Sequence, residues 1–254
     1  MNFKFSIRGL VSDFLESIRF LTVIPIPLKR EGNLARAMFF FPLVGCLMGI
    51  LAVFLTHILS LDLFLRLEAL GLVTFPILLS GGLHLDGLAD FSDGFFGGRS
   101  KSDVLRIMRD SRIGTWGTLG VLLVLFWKWE LLTSLSVRSG ALILSLTASR
   151  WAQVVLAYFL PYANPEGGLG EAVAKKVKIR ELVGATAFLT LVIFFLKGPG
   201  VLCFMALIPF LGALGFFFHK RVGGVTGDLL GAASELIEVY LLFILFLIRS
   251  GEYR

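Results

Sequence analysis

The feature that most limits what this chain can become is a succession of apolar runs, each close to the ~20 residues an α-helix needs to cross a bilayer. Such runs fall at about 38–60, 68–85, 115–136, 140–160, 182–197, 199–218 and 229–248. Lys128 and Glu130 interrupt the third, and only KGPG at 197–200 separates the fifth from the sixth. Hydrophobic residues make up 56% of the chain and charged residues 17%, with a mean hydropathy of +0.85. That balance is too apolar for an ordinary soluble domain. The expected fold is all-α: a polytopic integral membrane bundle of about seven transmembrane helices.

Charge orients the spans. With the N-terminus cytoplasmic, 17 lysines and arginines fall on inside segments and five (Arg66, Arg138, Lys197, Arg249 and Arg254) on outside ones. Cytoplasmic loops carry such an excess in membrane proteins. The net charge of +6 therefore reads as topology, and no nucleic-acid partner is expected. The first 37 residues are broken by charges at Lys4, Arg8, Asp13, Glu16 and Arg19. They read as an amphipathic interfacial segment rather than a cleaved signal. Cys46 and Cys203 sit inside apolar runs, as small hydrophobes rather than a disulfide. The organisation expected is one membrane domain over 1–254, with an interfacial segment at 1–37 and the bundle at 38–248. Outside loops are short, so the chemistry belongs to the cytoplasmic segments 81–117 and 219–238.

The most informative of these segments is LHLDGLADFSDGFFGG at 83–98. Asp86, Asp90 and Asp93 stand at i, i+4 and i+7, which places them on one face of a helix. Three unpaired carboxylates so close raise one another's pKa. A hard divalent cation such as Mg²⁺, Mn²⁺ or Ca²⁺ relieves that repulsion. His84, two residues before Asp86, points off the acidic face and suits contact with substrate better than metal ligation.

A second acidic group lies in GGVTGDLLGAASELIE at 223–238. The turn at Gly227 offers backbone N–H groups to an anion at a helix start, although Asp228 is also a natural N-cap. Glu235 lies about two turns into an apolar span, where acids are functional candidates. Both acidic groups face the cytoplasm in this topology and are expected to converge on one metal site. Between them lies RIMRDSRIGTWG at 106–117, where Arg109, Asp110, Ser111 and Arg112 precede the third span. Guanidinium forks beside metal-binding carboxylates are what a diphosphate requires. Arg150 is costly at its depth unless an acid or a phosphate pairs with it or it snorkels to the surface. On these grounds the aspartates suit phosphoryl transfer at the membrane–cytosol boundary.

The chain resembles the cobalamin-5'-phosphate synthase (adenosylcobinamide-GDP ribazoletransferase) family. The likeness rests on FLTVIPIP at 20–27, FFPLVGCLMG at 40–49, GGLHLDGLADFSDGFFGG at 81–98, RIMRDSRIGTWG at 106–117 and GGVTGDLLGAASELIE at 223–238. The resemblance implies that GDP-activated adenosylcobinamide reacts with α-ribazole, or its 5'-phosphate, releasing GMP, with Mg²⁺ as cofactor and the prokaryotic inner membrane as location. It implies Asp86, Asp90, Asp93 and Asp228 as metal ligands, Glu235 or Asp110 as proton acceptor, and Arg109 and Arg112 on the phosphates. His84, Ser111, Gly227 and Arg150 complete the expected substrate contacts. Membrane lipid is a further partner, and a homo-oligomer is compatible with this reading. Two rivals share some of the features: a phospholipid head-group phosphotransferase and a cation-coupled transporter. The phosphotransferase signature D-x-x-D-G-x-x-A-R does not occur. Transporters place their acids near the midplane, often within internal repeats.

Overall fold

Helix is the form apolar backbone takes where water is absent, since it pairs every N–H and C=O within one segment. The computed structural model follows that rule. It describes residues 7–27, 33–135, 138–163, 177–196 and 198–251. Its helices are α1 (Ile7–Leu21), α2 (Leu34–Ile58), α3 (Leu65–Ser80), α4 (Leu83–Gly97), α5 (Lys101–Ile107), α6 (Thr115–Ser134), α7 (Arg138–Phe159), α8 (Ile179–Leu196), α9 (Gly198–Val222) and α10 (Gly227–Gly251). Lys4, Lys29, Arg30, Lys175, Lys176, Lys197 and Arg254 of the charge pattern lie outside the described residues.

Among the described residues, five helices are long and apolar enough to cross a membrane: α2, α6, α7, α9 and α10. A sixth crossing arises only if α3 and α4 count together, and these two meet at 91°. The continuous run expected at 68–85 is therefore broken. Gly81 (φ 62°) and Gly82 (φ 75°) both adopt the left-handed conformation. A side chain would strain either position, so this glycine pair can turn the chain sharply between α3 and α4. α8 occupies the run expected at 182–197 and is not among the five.

α7 is the central element, with most of its side chains buried. It meets α2 at Gly45 and Gly49, a small-xxx-small pair of the kind that lets membrane helices approach closely. A Cβ at Gly45 would strike the Leu146 carbonyl oxygen, and one at Gly49 would lie 3.0 Å from Ile143 Cα. The same device joins α4 to α10. A Cβ on Gly87 would fall 2.6 Å from the Asp228 carbonyl oxygen, and one on Gly231 would fall 3.3 Å from His84 Cα. That close approach brings the acidic face of α4 to the start of α10.

The turn before α10 is fixed from outside. Val225 N–H donates to Pro161 C=O and Ala163 N–H donates to Val225 C=O, both at 2.9 Å, tying GGVT to the end of α7. α1 packs on the first turns of α2, with Phe20 stacked on Phe41 and Asp13 paired to Arg36 at 3.2 Å. Burial pushes the Asp13 carboxyl above the usual carboxylate range, and the Arg36 charge works against it. Both cysteines are free thiols.

Candidate functional site

The helix-face expectation for α4 holds. Asp86 is exposed, Asp90 and Asp93 are half-buried, and all three belong to one continuous helix. Opposite them, the first turn of α10 is capped by Thr226 rather than Asp228: Leu229 N–H donates to Thr226 Oγ1 at 3.2 Å. Asp228 is thus spared the capping duty that its position suggested. It accepts only a long bond from Thr226 Oγ1, at 3.4 Å. Its charge lies close enough to those of Asp86 and Asp90 for mutual repulsion.

Asp86, Gly227 and Asp228 line one cavity of about 130 Å³, together with His84 and Gln153 and an apolar wall that includes Phe20 and Phe41. The two acidic segments therefore converge, through Asp86 and Asp228. His84 is inside this cavity wall and only 2% exposed, consistent with its reading as a contact residue rather than a solvated one.

Asp93 is occupied differently. Its Oδ2 accepts from Gly114 N–H at 2.6 Å and its Oδ1 from Gly117 N–H at 2.8 Å. Gly114 is the N-cap of α6 and Gly117 its third residue. Asp93 thus satisfies, from another helix, the two N–H groups that a capping box satisfies locally. Its negative charge also sits at the positive end of the α6 dipole. A Cβ on Gly114 would stand 2.5 Å from the carboxylate and one on Gly117 closer still, so glycine is needed at both places. The GTWG stretch is explained by this contact.

In the α5–α6 connection, Arg112 grips Asp110 through Nε at 3.0 Å and Nη2 at 2.8 Å, and its backbone N–H adds a third bond at 3.1 Å. These hydrogen bonds, the side-chain ones foremost, bring the Asp110 pKa down to about 2. A carboxylate so acidic is a poor proton acceptor, contrary to one of its expected roles. Arg109, Ser111 and Arg112 are all exposed on this segment.

Glu235 does not line the cavity with Asp86 and Asp228. It accepts from Lys128 Nζ at 2.6 Å, and Lys128 also donates to Glu238 at 2.5 Å. Glu238 in turn receives Arg150 Nη1 at 2.9 Å and Ser149 Oγ at 3.1 Å, while Arg150 also bonds Ser149 and Ser234. Every one of these side chains is buried. Two cations face two anions, joining α6, α7 and α10. An acid was one of three outcomes the sequence allowed Arg150, which was expected as a substrate contact and is instead buried against Glu238; the partnership with Lys128 was not foreseen. The signal was present, since a lysine in an apolar span is costly unless paired.

Among the described residues, no group of three carboxylate, imidazole or thiolate side chains is placed to hold a metal ion together. Neither the Asp86 nor the Asp90 carboxylate has a hydrogen bond or salt bridge among the described residues. Asp86, Asp90 and Asp228 therefore form a hard-oxygen set whose repulsion no side chain among the described residues relieves. One or two of these carboxylates would suit Mg²⁺, which keeps several waters and is commonly completed by substrate phosphates. The arrangement suits an ion completed by a diphosphate better than one enclosed by protein.

A family model described as cobalamin-5-phosphate synthase matches residues 13–246. A protein of Chlorobaculum parvum is 34% identical over 251 residues, covering 96% of this chain and 98% of the relative. Another, of Desulforamulus reducens, is 39% identical over 237 residues, covering 91% and 94%. A third, of Shewanella baltica, is 35% identical over 245 residues, covering 92% and 94%. All three relatives are named adenosylcobinamide-GDP ribazoletransferase. No solved structure matches the chain.

Proposed function

The chain belongs to the cobalamin-5-phosphate synthase family, and we propose that the acidic pocket between α4 and α10 carries out the transfer for which its relatives are named. A ribose hydroxyl of α-ribazole, or of its 5'-phosphate, attacks the phosphorus nearer the cobinamide in adenosylcobinamide-GDP. The new P–O bond forms as the bond to the bridging oxygen breaks. GMP leaves with that oxygen, and the hydroxyl proton passes to a pocket carboxylate. The product is adenosylcobalamin or its 5'-phosphate, so the enzyme acts late in cobalamin assembly.

The observation that carries this reading is the meeting of Asp86 and Asp228 on one cavity, with Asp90 beside them and no cationic side chain paired to any of the three among the described residues. Asp86, Asp90 and Asp228 would hold Mg²⁺, whose chemistry is to neutralise charge on the diphosphate oxygens. Asp93 supports this from behind by anchoring the α6 start. Arg109, Ser111 and Arg112 contact the phosphates, and Asp110 fixes the direction in which the Arg112 fork points. Glu235, with Glu238, Lys128 and Arg150, keeps three helices in register below the pocket.

Seven crossings with a cytoplasmic N-terminus complete the proposal. The five long apolar helices, the bent α3–α4 pair and α8 supply the elements, and the excess of basic residues on one set of loops supports the orientation. The pocket would then open at the cytoplasmic face of the prokaryotic inner membrane.

The test is a detergent-purified assay with GDP-activated cobinamide and α-ribazole 5'-phosphate, following GMP release with Mg²⁺ or with EDTA. Metal-dependent GMP accompanied by a cobalamin product is expected. Folded protein that releases none with metal present would refute the reading. Inhibition by CDP compounds in place of GDP compounds would point to a head-group phosphotransferase.

A further inference from the structure

The arginine segment at 109–112 runs between two fixed points. At its far end Asp93 holds the start of α6. At its near end stands α5, a helix of seven residues, well short of the ~12–15 below which an isolated helix is marginal in water. Ser100 and Asp103 close its first turn as a capping box, and Val104 and Met108 rest against Gly94 and Gly98. Its direction is set from across the chain. Arg221, in the last turn of α9, donates from Nη2 to the Gly98 carbonyl and from Nη1 to the Arg99 carbonyl, the latter at 3.3 Å. Gly98 is the C-cap of α4 and Ser100 the N-cap of α5. The guanidinium therefore grips the elbow between the two helices, where carbonyls at a helix end lack intrahelical donors and favour a cation.

Lys101 crosses the same gap in the other direction. Its ammonium lies against Gly223, in the turn before α10: a Cβ there would stand 2.7 Å from Lys101 Nζ. The backbone at Gly223 is also left-handed (φ 84°), which a side chain would strain. Each of the two connections thus sends a cationic side chain to the other. One connection follows Asp86, Asp90 and Asp93; the other precedes Asp228. The excess of basic residues on inside loops accounts for a charge at 221, but any cation would satisfy it. Engaging two neighbouring carbonyls at once calls for the planar fork of arginine, since an ammonium is a single point charge. Loss of the grip would fall unevenly. α4 and α10 touch directly at Gly87 and Gly231, so the carboxylates keep their places, whereas α5 meets chiefly α4 and α9. We infer that Arg221 is a positioning residue for the donor: with Lys101 it latches the α4–α5 elbow to the α9–α10 turn, and so sets where Arg109 and Arg112 stand relative to the carboxylates. The inference rests on the phosphate contacts proposed above and adds the residue that aims them.

The test uses the full chain in detergent, with GMP release measured against donor and acceptor concentration. Arg221→Gln should raise KM for GDP-activated cobinamide about tenfold, the lower end of what a hydrogen bond to a charged group contributes. KM for α-ribazole 5'-phosphate should stay within about twofold of wild type. Arg221→Lys, which reaches one carbonyl at a time, should fall between wild type and Arg221→Gln. Combined with Arg112→Gln, the two increases in donor KM should be less than multiplicative, because both act on one contact. Amide exchange over residues 101–108 should quicken in Arg221→Gln while that over 84–93 does not. A purely structural role gives lower stability with both KM values unchanged, or both raised alike, and either pattern overturns the inference. Strictly multiplicative increases, or unchanged exchange over 101–108, overturn it too. If Arg221→Gln does not fold, Arg221→Lys and Lys101→Met decide by the same split. GMP release by wild type with an unchanged donor KM in the variants removes only the latch; a folded wild type that releases no GMP removes the transfer reading and the latch together.

Discussion

Replacing Asp93 by asparagine separates a scaffold role from a metal role. The Asp93 carboxylate accepts two short bonds, from Gly114 N–H at 2.6 Å and Gly117 N–H at 2.8 Å. Asparagine keeps one carbonyl oxygen, so one bond survives as a neutral one. The other backbone N–H then faces an NH₂ group and is left without an acceptor. Hydrogen bonds to charged groups contribute ~1.5–3 kcal/mol each, and lost helix caps cost about 1 kcal/mol. For a half-buried site the expected loss is about 2–3 kcal/mol of stability. Asp86→Asn makes the same charge change on the same helix face, at a carboxylate with no hydrogen bond and with repelling neighbours. It should leave stability within ~0.5 kcal/mol of wild type or slightly above it. Thermal unfolding in one detergent, with amide exchange at residues 114 and 117, measures both. Equal stability of Asp93→Asn and wild type, with those two amides still protected, would refute the remote-cap account.

Three further outcomes are expected. Lys128→Met should cost ~3–5 kcal/mol, since it strands Glu235 in the interior, and adding Glu235→Gln should recover much of that loss; strictly additive costs would mean the pair does not interact. Asp86→Asn and Asp90→Asn should abolish GMP release while the protein still inserts and folds, and full turnover in either would remove these carboxylates from the site. Arg112 holds Asp110 at about 2 against an ordinary 3.8, so what this clasp contributes is complete above pH 3.8 and is lost as pH falls toward 2. Asp110→Asn should therefore leave the shape of the rate profile between about pH 5 and 9 unchanged while weakening donor binding; a displaced limb in that range would assign Asp110 a proton-transfer role.

How much of this was legible in the sequence depended on whether the contact was local or distant. The shared face of Asp86, Asp90 and Asp93 followed from helical period alone, and all three lie in one helix. The break at Gly81–Gly82 was written in the letters, yet the apolar run across 68–85 concealed it, because hydropathy is blind to direction. At the start of α10, Thr226 and Asp228 are both good caps, and only the bond to Leu229 N–H decides between them. The duty of Asp93 could not be read at all. Its partners are backbone amides, which have no letter, and the only trace was glycine at 114 and 117.

Buried charge offers a way to tell scaffold from site in such a chain. A charge enters an apolar bundle only with a partner or a purpose. In the interior network Lys128 and Arg150 face Glu235 and Glu238, so the charges cancel. Removing any one member uncovers another, and the network reads as structure. At and beside the pocket, Asp86, Asp90 and Asp228 repel one another, and no cation among the described residues is paired with them. Folding alone gives no reason to gather like charges, because their repulsion raises the energy of the folded state. In the reading proposed above, the missing positive charge comes with the ligand, as a metal-bridged diphosphate. Intramembrane acids taken singly do not make this distinction: depth in the span favoured Glu235 over Asp228 as a functional acid, whereas the structure balances the charge of Glu235 and leaves that of Asp228 without a cation among the described residues.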